Sequence, residues 1–308
     1  MAAVSAAALL VRLADGVHPV VAGFWRTAAV GLLLAPSLPQ ARGKLRAGSL
    51  GLTVLAAFFL AGHFWAWFES LHRTTVLRST LLVSLTPVWA AGAEWALGGQ
   101  RPGRRFWGGI AIALVGVGGM ATGGSADLSE GAFVGDLLAV LGGVLAAAYL
   151  LVGRYARQSV PIGPYGSLVS GLCGLWLLPV ALLLDAPLTG FSNTAWLALL
   201  GLTLGPQLLG HIGFNYSVRY LPAYVVTAAV LLEPVGAAVL GVVVLGEIPT
   251  EAEVMSALVV LAGVGLATLP SQRGEEAASE GHAADGSPAG AVAQSGQGGG
   301  PDDPPKEG

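Results

Sequence analysis

The chain has 308 residues, 54% of them hydrophobic and only 11% charged, with a mean hydropathy of +0.70, a balance that a soluble domain could hardly keep in solution. The formal net charge is −3 and no basic patch is present, so a nucleic-acid surface is excluded. Cys173 is the single cysteine, which leaves neither a disulfide framework nor a thiolate metal site.

This composition predicts an all-α, polytopic membrane protein. Runs of about 17 to 25 apolar residues cross a bilayer as helices, and ten segments are expected at approximately 1–14, 20–38, 50–71, 74–98, 106–122, 135–153, 166–184, 195–217, 222–246 and 254–269. Their apolarity is continuous rather than alternating, unlike the shorter strands of a membrane barrel. The first segment is short: about fourteen residues give ~21 Å of helix against a hydrocarbon core of ~30 Å. A start upstream of Met1 is therefore expected, with the first helix incomplete.

Polar residues punctuate the segments in chain order. Arg26, in the second, and Arg78, in the fourth, stand a turn or two from the outer surface, where snorkelling is expected. His63, Trp65, Trp67 and Glu69 fall in the outer half of the third. Pro87 lies inside the fourth, where it would remove a hydrogen bond and free the carbonyl of Val83. Glu94, near the inner end of the same segment, is expected to pair with Arg101 or Arg104. Tyr149 lies in the sixth segment, and Cys173, in the seventh, reads as a small buried hydrophobe. Gln207, His211, Asn215 and Tyr216 fall in the inner half of the eighth. In the ninth, Pro234 would free the carbonyl of Val230. About eleven residues beyond Pro222, Glu233 would lie ~16 Å deep, close to the bilayer midplane. Beyond about Pro270 the chain turns to Gly, Ala, Ser, Pro and acidic residues, which cannot offset their ordering entropy; a disordered cytoplasmic tail is expected over 270–308.

The loops set an orientation and reveal a duplication. Arg42, Lys44 and Arg46, then Arg101, Arg104 and Arg105, then Arg154 and Arg157, then Arg219, then Arg273 follow every second segment, whereas the intervening loops carry mainly acids, with Arg73 the clearest exception. Basic loops face the cytoplasm, so both termini are expected inside. Ser70 returns as Ser217, Pro87 as Pro234, Gly99 as Gly246, Pro102 as Pro249, and Gly116 and Gly118 as Gly263 and Gly265, each 147 residues later. The loop around Pro102 is basic and its twin around Pro249 acidic, as two inverted five-helix copies require. The expected layout is a first repeat over 1–122, an external loop over 123–134, a second repeat over 135–269, and the tail. Pro36 and Pro179 are expected to end the second and seventh helices.

The repeated segment resembles the drug/metabolite transporter superfamily in its ten-helix form with two EamA-type repeats. The second copy carries the resemblance closely in Leu232-Glu233-Pro234-Val235, Leu245-Gly246-Glu247 and Leu261-Ala262-Gly263-Val264-Gly265. The first reads Leu85-Thr86-Pro87-Val88, Gly98-Gly99-Gln100 and Leu114-Val115-Gly116-Val117-Gly118, with Gln100 in place of the pattern's Glu. Phe24-Trp25-Arg26 is similar to the family's aromatic-Arg element. The resemblance spans about 1–269. It implies a secondary carrier, often an exporter, moving a small metabolite or drug such as an amino acid or derivative, or an amphipathic or cationic compound, through a central cavity that opens to each side in turn. A multi-pass location in the plasma (inner) membrane goes with it.

The candidate cavity residues are His63, Trp67, Glu69, Tyr149, Gln207, His211, Asn215 and Tyr216, able to stack on or hydrogen-bond a planar or cationic substrate. Trp65 and Tyr220 are read as interfacial anchors. Glu233 is either the proton-coupling carboxylate or a protonated acid bonded to a neighbouring helix. Pro87 and Pro234 are helix breaks, acting as hinges or as plain kinks. The glycine runs follow no strand and serve close helix approach. A P-loop, a Gly-x-Ser-x-Gly elbow and His-Glu-x-x-His are missing from the sequence, so no enzyme is expected. The expected partners are a small-molecule substrate and membrane lipid; no cofactor or metal is called for, and monomer and homodimer both remain open. The alternative function is a passive channel or a non-transporting membrane scaffold.

Overall fold

The computed structural model describes residues 2–74, 76–99, 101–121, 130–240 and 251–268. The described residues are helical throughout, without a strand. Two short helices, α1 (Ala2–Ser5) and α2 (Ala7–Leu13), lead into α3 (Pro19–Leu34). The start of α3 is set locally: Pro19 supplies the fixed φ suited to a first turn, and the His18 side chain accepts from the Val20 amide at 3.3 Å. Past Leu34 the chain tightens into a 3₁₀ segment, Ala35–Ala41, where Pro36 and Pro39 cannot continue an α-helix. Next come α4 (Ala47–Arg73), α5 (Val76–Val83), α6 (Thr86–Ala96) and α7 (Arg104–Ala121).

The second half runs through α8 (Glu130–Ala156), α9 (Ile162–Leu183) and α10 (Asn193–Leu202), the last started by Ser192, whose hydroxyl accepts from the Ala195 amide at 3.1 Å. A π-helical stretch, Thr203–His211, continues into α11 (Ile212–Ser217). Then follow α12 (Ala223–Ala228), a 3₁₀ turn over Ala229–Leu232, α13 (Glu233–Leu240) and α14 (Glu251–Thr268).

Among the described residues, five stretches are long and apolar enough to cross a membrane: Pro19–Ala41, Ala47–Arg73, Phe133–Ala156, Ile162–Leu183 and Asn193–Ser217. Ala223–Leu232 and Val254–Ala267 are shorter apolar helices. Leu183, Leu32 and Val115 are 84%, 76% and 72% exposed. An apolar surface of that extent suits lipid and not water. Several expectations are corrected here. The segment placed over 74–98 and the described part of that over 222–246 are interrupted rather than uniform helices, because Pro87 and Pro234 each lack the amide a continuous ladder needs; the segment over 195–217 is one stretch, Asn193–Ser217, with a π-helical middle. Pro179, expected to end its helix, lies inside α9, which runs on to Leu183. Of the external loop expected over 123–134, residues 130–134 belong instead to the first turns of α8, while 123–129, Glu247 and the tail lie outside the described residues.

Glycine decides how closely the helices pack, since lipid offers no hydrophobic drive between them. On α3, a Cβ at Gly31 would lie 2.7 Å from the backbone of Gly171 on α9. Between α7 and α14, a Cβ at Gly109 would lie 2.5 Å from the Gly263 carbonyl oxygen, and one at Gly116 would lie 2.8 Å from that of Ser256. In the 147-residue register Gly109 corresponds to Ser256 and Gly116 to Gly263, so these two contacts are exchanged by the internal repeat. Gly142 on α8 packs against Trp67 of α4 in the same manner, with a Cβ there at 3.4 Å.

Candidate functional site

Where α4, α8, the π stretch and the two interrupted helices converge, they line a cavity of about 50 Å³. That is room for a few waters, far below the few hundred Å³ a drug-sized ligand fills. Four of the expected cavity residues line it: His63, Trp67, Tyr149 and His211. The His63 ring stacks on Trp67, centroids 5.7 Å apart and planes 15° from parallel, and its Nδ1 lies 2.9 Å from the Gly142 carbonyl oxygen. His211 stands 6.2 Å from His63 and 6.0 Å from Tyr149, between centroids. Trp67 Nε1 and His211 Nδ1 are buried without a hydrogen-bond partner. A closed wall with unsatisfied donors is what a polar guest would complete.

Equivalent residues of the two repeats, Thr86 and Glu233, both face this cavity. Each opens an α-helix and is followed by the proline, so Pro87 and Pro234 occupy positions where the missing amide costs least. The carbonyls expected to be freed are satisfied in different ways. Val83 O accepts from the Thr86 hydroxyl at 2.6 Å, whereas Val230 O accepts from the backbone amide of Glu233 through the 3₁₀ turn. At this break the Glu233 side chain takes no part in satisfying the freed carbonyl and faces the cavity instead. It is 4% exposed, Oε1 has no partner, and it sits in the first turn of α13, where the helix dipole favours an anion.

Arg26 differs most from expectation. Instead of snorkelling outward it is fully buried on α3, and its Nε donates to Gln207 Oε1 at 3.2 Å. Its guanidinium carbon lies 4.4 Å from the centroid of Phe64 and 5.8 Å from that of Phe68. Gln207 reaches it from the π stretch, and its amide also donates to Ser170 Oγ at 3.3 Å. π-helical turns are rare and widen the helix locally; this one carries Gln207 and His211 together. The signal for Arg26 was present in the sequence, since a cation in an apolar run marks a site as often as an interface.

The remaining candidates fall elsewhere. Glu69 forms an ion pair with Arg73 at 2.7 Å on the rim of α4, away from the cavity. Tyr216 is 53% exposed and packs on Tyr220. Asn215 is fully buried behind the cavity wall, and its carbonyl accepts from Arg157 Nε at 3.2 Å. Trp65 is partly exposed. Glu94 pairs with neither Arg101 nor Arg104 but with Arg154 of α8, while Arg101 lies over the Trp95 ring. Helix α8 packs against α6 and brings Arg154 to this end of it. The side chain of Arg78 is outside the described ones.

A many-helix membrane protein with a cavity between its helices is thus the class that fold and site define. The model of the EamA-like transporter family matches residues 1–122 and 133–269, and the chain belongs to that family. It is an integral, multi-pass membrane transporter of the drug/metabolite kind, built of two repeats. A solved structure described only as a crystal structure of a protein is similar at 19% identity, covering 86% of this chain and 93% of its own, with a TM-score of 0.71. That likeness supports the fold. No curated protein matches the chain significantly.

Proposed function

We propose that the protein is a secondary carrier, and specifically an exporter, of a small metabolite or drug in the plasma membrane. Ten helices in two inverted five-helix repeats, with both termini inside, rock about the central cavity, and Glu233 carries the coupling proton. One observation carries this reading: a carboxylate whose Oε1 has no hydrogen-bond partner faces the cavity at a helix break, while its repeat-equivalent Thr86 is locally bonded. An intramembrane acid of this kind is a proton relay by default, and inverted repeats meeting at a midplane site are the usual frame of alternating access. The cavity is too small for a substrate as it stands, consistent with an occluded step between two open ones. His63, Trp67, Tyr149 and His211 contact the substrate once it opens.

The test is reconstitution in liposomes with an imposed pH gradient and a panel of amino acids, carboxylic acids, sugars and cationic drugs. Saturable accumulation of a panel member that an uncoupler collapses is the expected result. Flux that never exceeds the solute's own gradient would make the protein a channel, and the absence of flux for every solute would make it a scaffold.

A further inference from the structure

Arg26 is the charged group that proton coupling leaves without a task. It is fully buried, where a cation is costly unless it is paired, yet only Nε is hydrogen-bonded, and Nη1 and Nη2 have no partner. Phe64 attracts the positive charge through its ring face but satisfies neither N–H fork. The titratable groups within electrostatic reach come from the elements packed around it: Glu233 from α13, Tyr149 from α8, Cys173 from α9, His63 from α4 and His211 from the π stretch. Four of these five residues are cavity wall, and Phe64, whose ring the guanidinium overlies, has its centroid 5.1 Å from that of His63 and 5.2 Å from that of His211, so Arg26 is one ring removed from the wall. Only Glu233 ordinarily carries negative charge near neutral pH.

We infer that the forked end of Arg26 is the anion subsite of this cavity and takes the carboxylate of a monoanionic substrate whose aromatic or apolar body lies against His63, Trp67 and Phe214. The inference rests on the carrier reading of the cavity. Two parallel N–H donors match the two oxygens of a carboxylate. A single guanidinium balances one charge, so a dianion such as a phosphate monoester would be left half compensated away from water. The cavity wall is mostly apolar and aromatic, which suits a carboxylate with a hydrophobic body over a sugar acid. Glu233 is then the resident counter-charge that a bound carboxylate replaces.

Full-length protein in detergent tests this by thermal shift and tryptophan fluorescence, with phenylacetate, phenylacetamide, phenethylamine and phenylphosphonate as probes. Phenylacetate is expected to saturate, and the amide, the amine and the dianion to bind roughly tenfold more weakly or worse. Arg26→Gln is expected to lose the preference for phenylacetate, Arg26→Lys to keep part of it, and Glu233→Gln to tighten phenylacetate several-fold by removing the competing acid. Equal binding of amide or amine, no response to phenylacetate, or wild-type phenylacetate affinity in Arg26→Gln would overturn the assignment. Where Arg26→Gln does not fold, the Glu233→Gln arm decides, and unchanged or weaker phenylacetate binding there overturns it. Liposome flux separates the two readings. A carrier moving only amines overturns the anion subsite, whereas carboxylate binding without flux of any solute overturns the carrier and leaves the subsite.

Discussion

The two helix breaks, one in each repeat, solve the same problem with different atoms. At the first, Thr86 turns its hydroxyl onto Val83 O at 2.6 Å and also reaches Gly143 O at 3.3 Å, so side chain and carbonyl satisfy each other and the break is closed in on itself. At the second, a 3₁₀ turn lets the backbone amide of Glu233 serve Val230 O, and the carboxylate is left over for the cavity. A duplicated fold can thus satisfy one copy of a break with a side chain and the other with backbone alone. By contrast, the glycine contacts between α7 and α14 remain matched across the repeat.

The largest expected effect breaks the comparison outright. Glu233→Gln should retain exchange of labelled for unlabelled substrate at equal pH while pH-driven flux falls to the level of protein-free liposomes; gradient-driven flux at wild-type rate would return Glu233 to the structural role of its twin. Leucine at Gly109 and at Gly263, tested singly, should each cost roughly 3 kcal/mol by overpacking against backbone, read as a lower melting temperature in detergent. Because the repeat exchanges these contacts, leucine at Gly116 should cost about as much as at Gly263, and a cost confined to one member would show that this interface is not symmetric. Thr86→Val should destabilise by about 1–2 kcal/mol, the worth of a buried hydrogen bond left unmade, with the pH dependence of flux unchanged; an altered pH profile would give the first break a share in coupling. Glu69→Gln removes a half-exposed i,i+4 pair and should shift stability by no more than about 1 kcal/mol, with unaltered substrate affinity in the flux assay.

Membrane character, the duplication and the breaks at Pro87 and Pro234 are legible in the sequence, because apolar run length and the 147-residue spacing survive without any knowledge of packing. The inward set of side chains is not. In a soluble helix, polar residues mark the outer face, but here lipid and protein core are equally apolar and the periodicity carries little contrast. Glu69 and Tyr216 were therefore grouped with His63 and His211, although one is held on the rim by Arg73 and the other lies exposed beside Tyr220. Arg26 was placed by its distance along the helix, which measures depth and says nothing about rotation.

What the sequence by itself determined is a chain that must cross lipid several times, in two related halves, with one acid deep in the second. The tertiary structure alone decided that Arg26 turns inward onto Gln207, that Glu94 finds Arg154, and that a π stretch brings Gln207 and His211 to the same wall. The physical reason is that buried charge has no preferred neighbour in sequence. It takes whichever donor or acceptor the close glycine-lined contacts of the helices bring within reach.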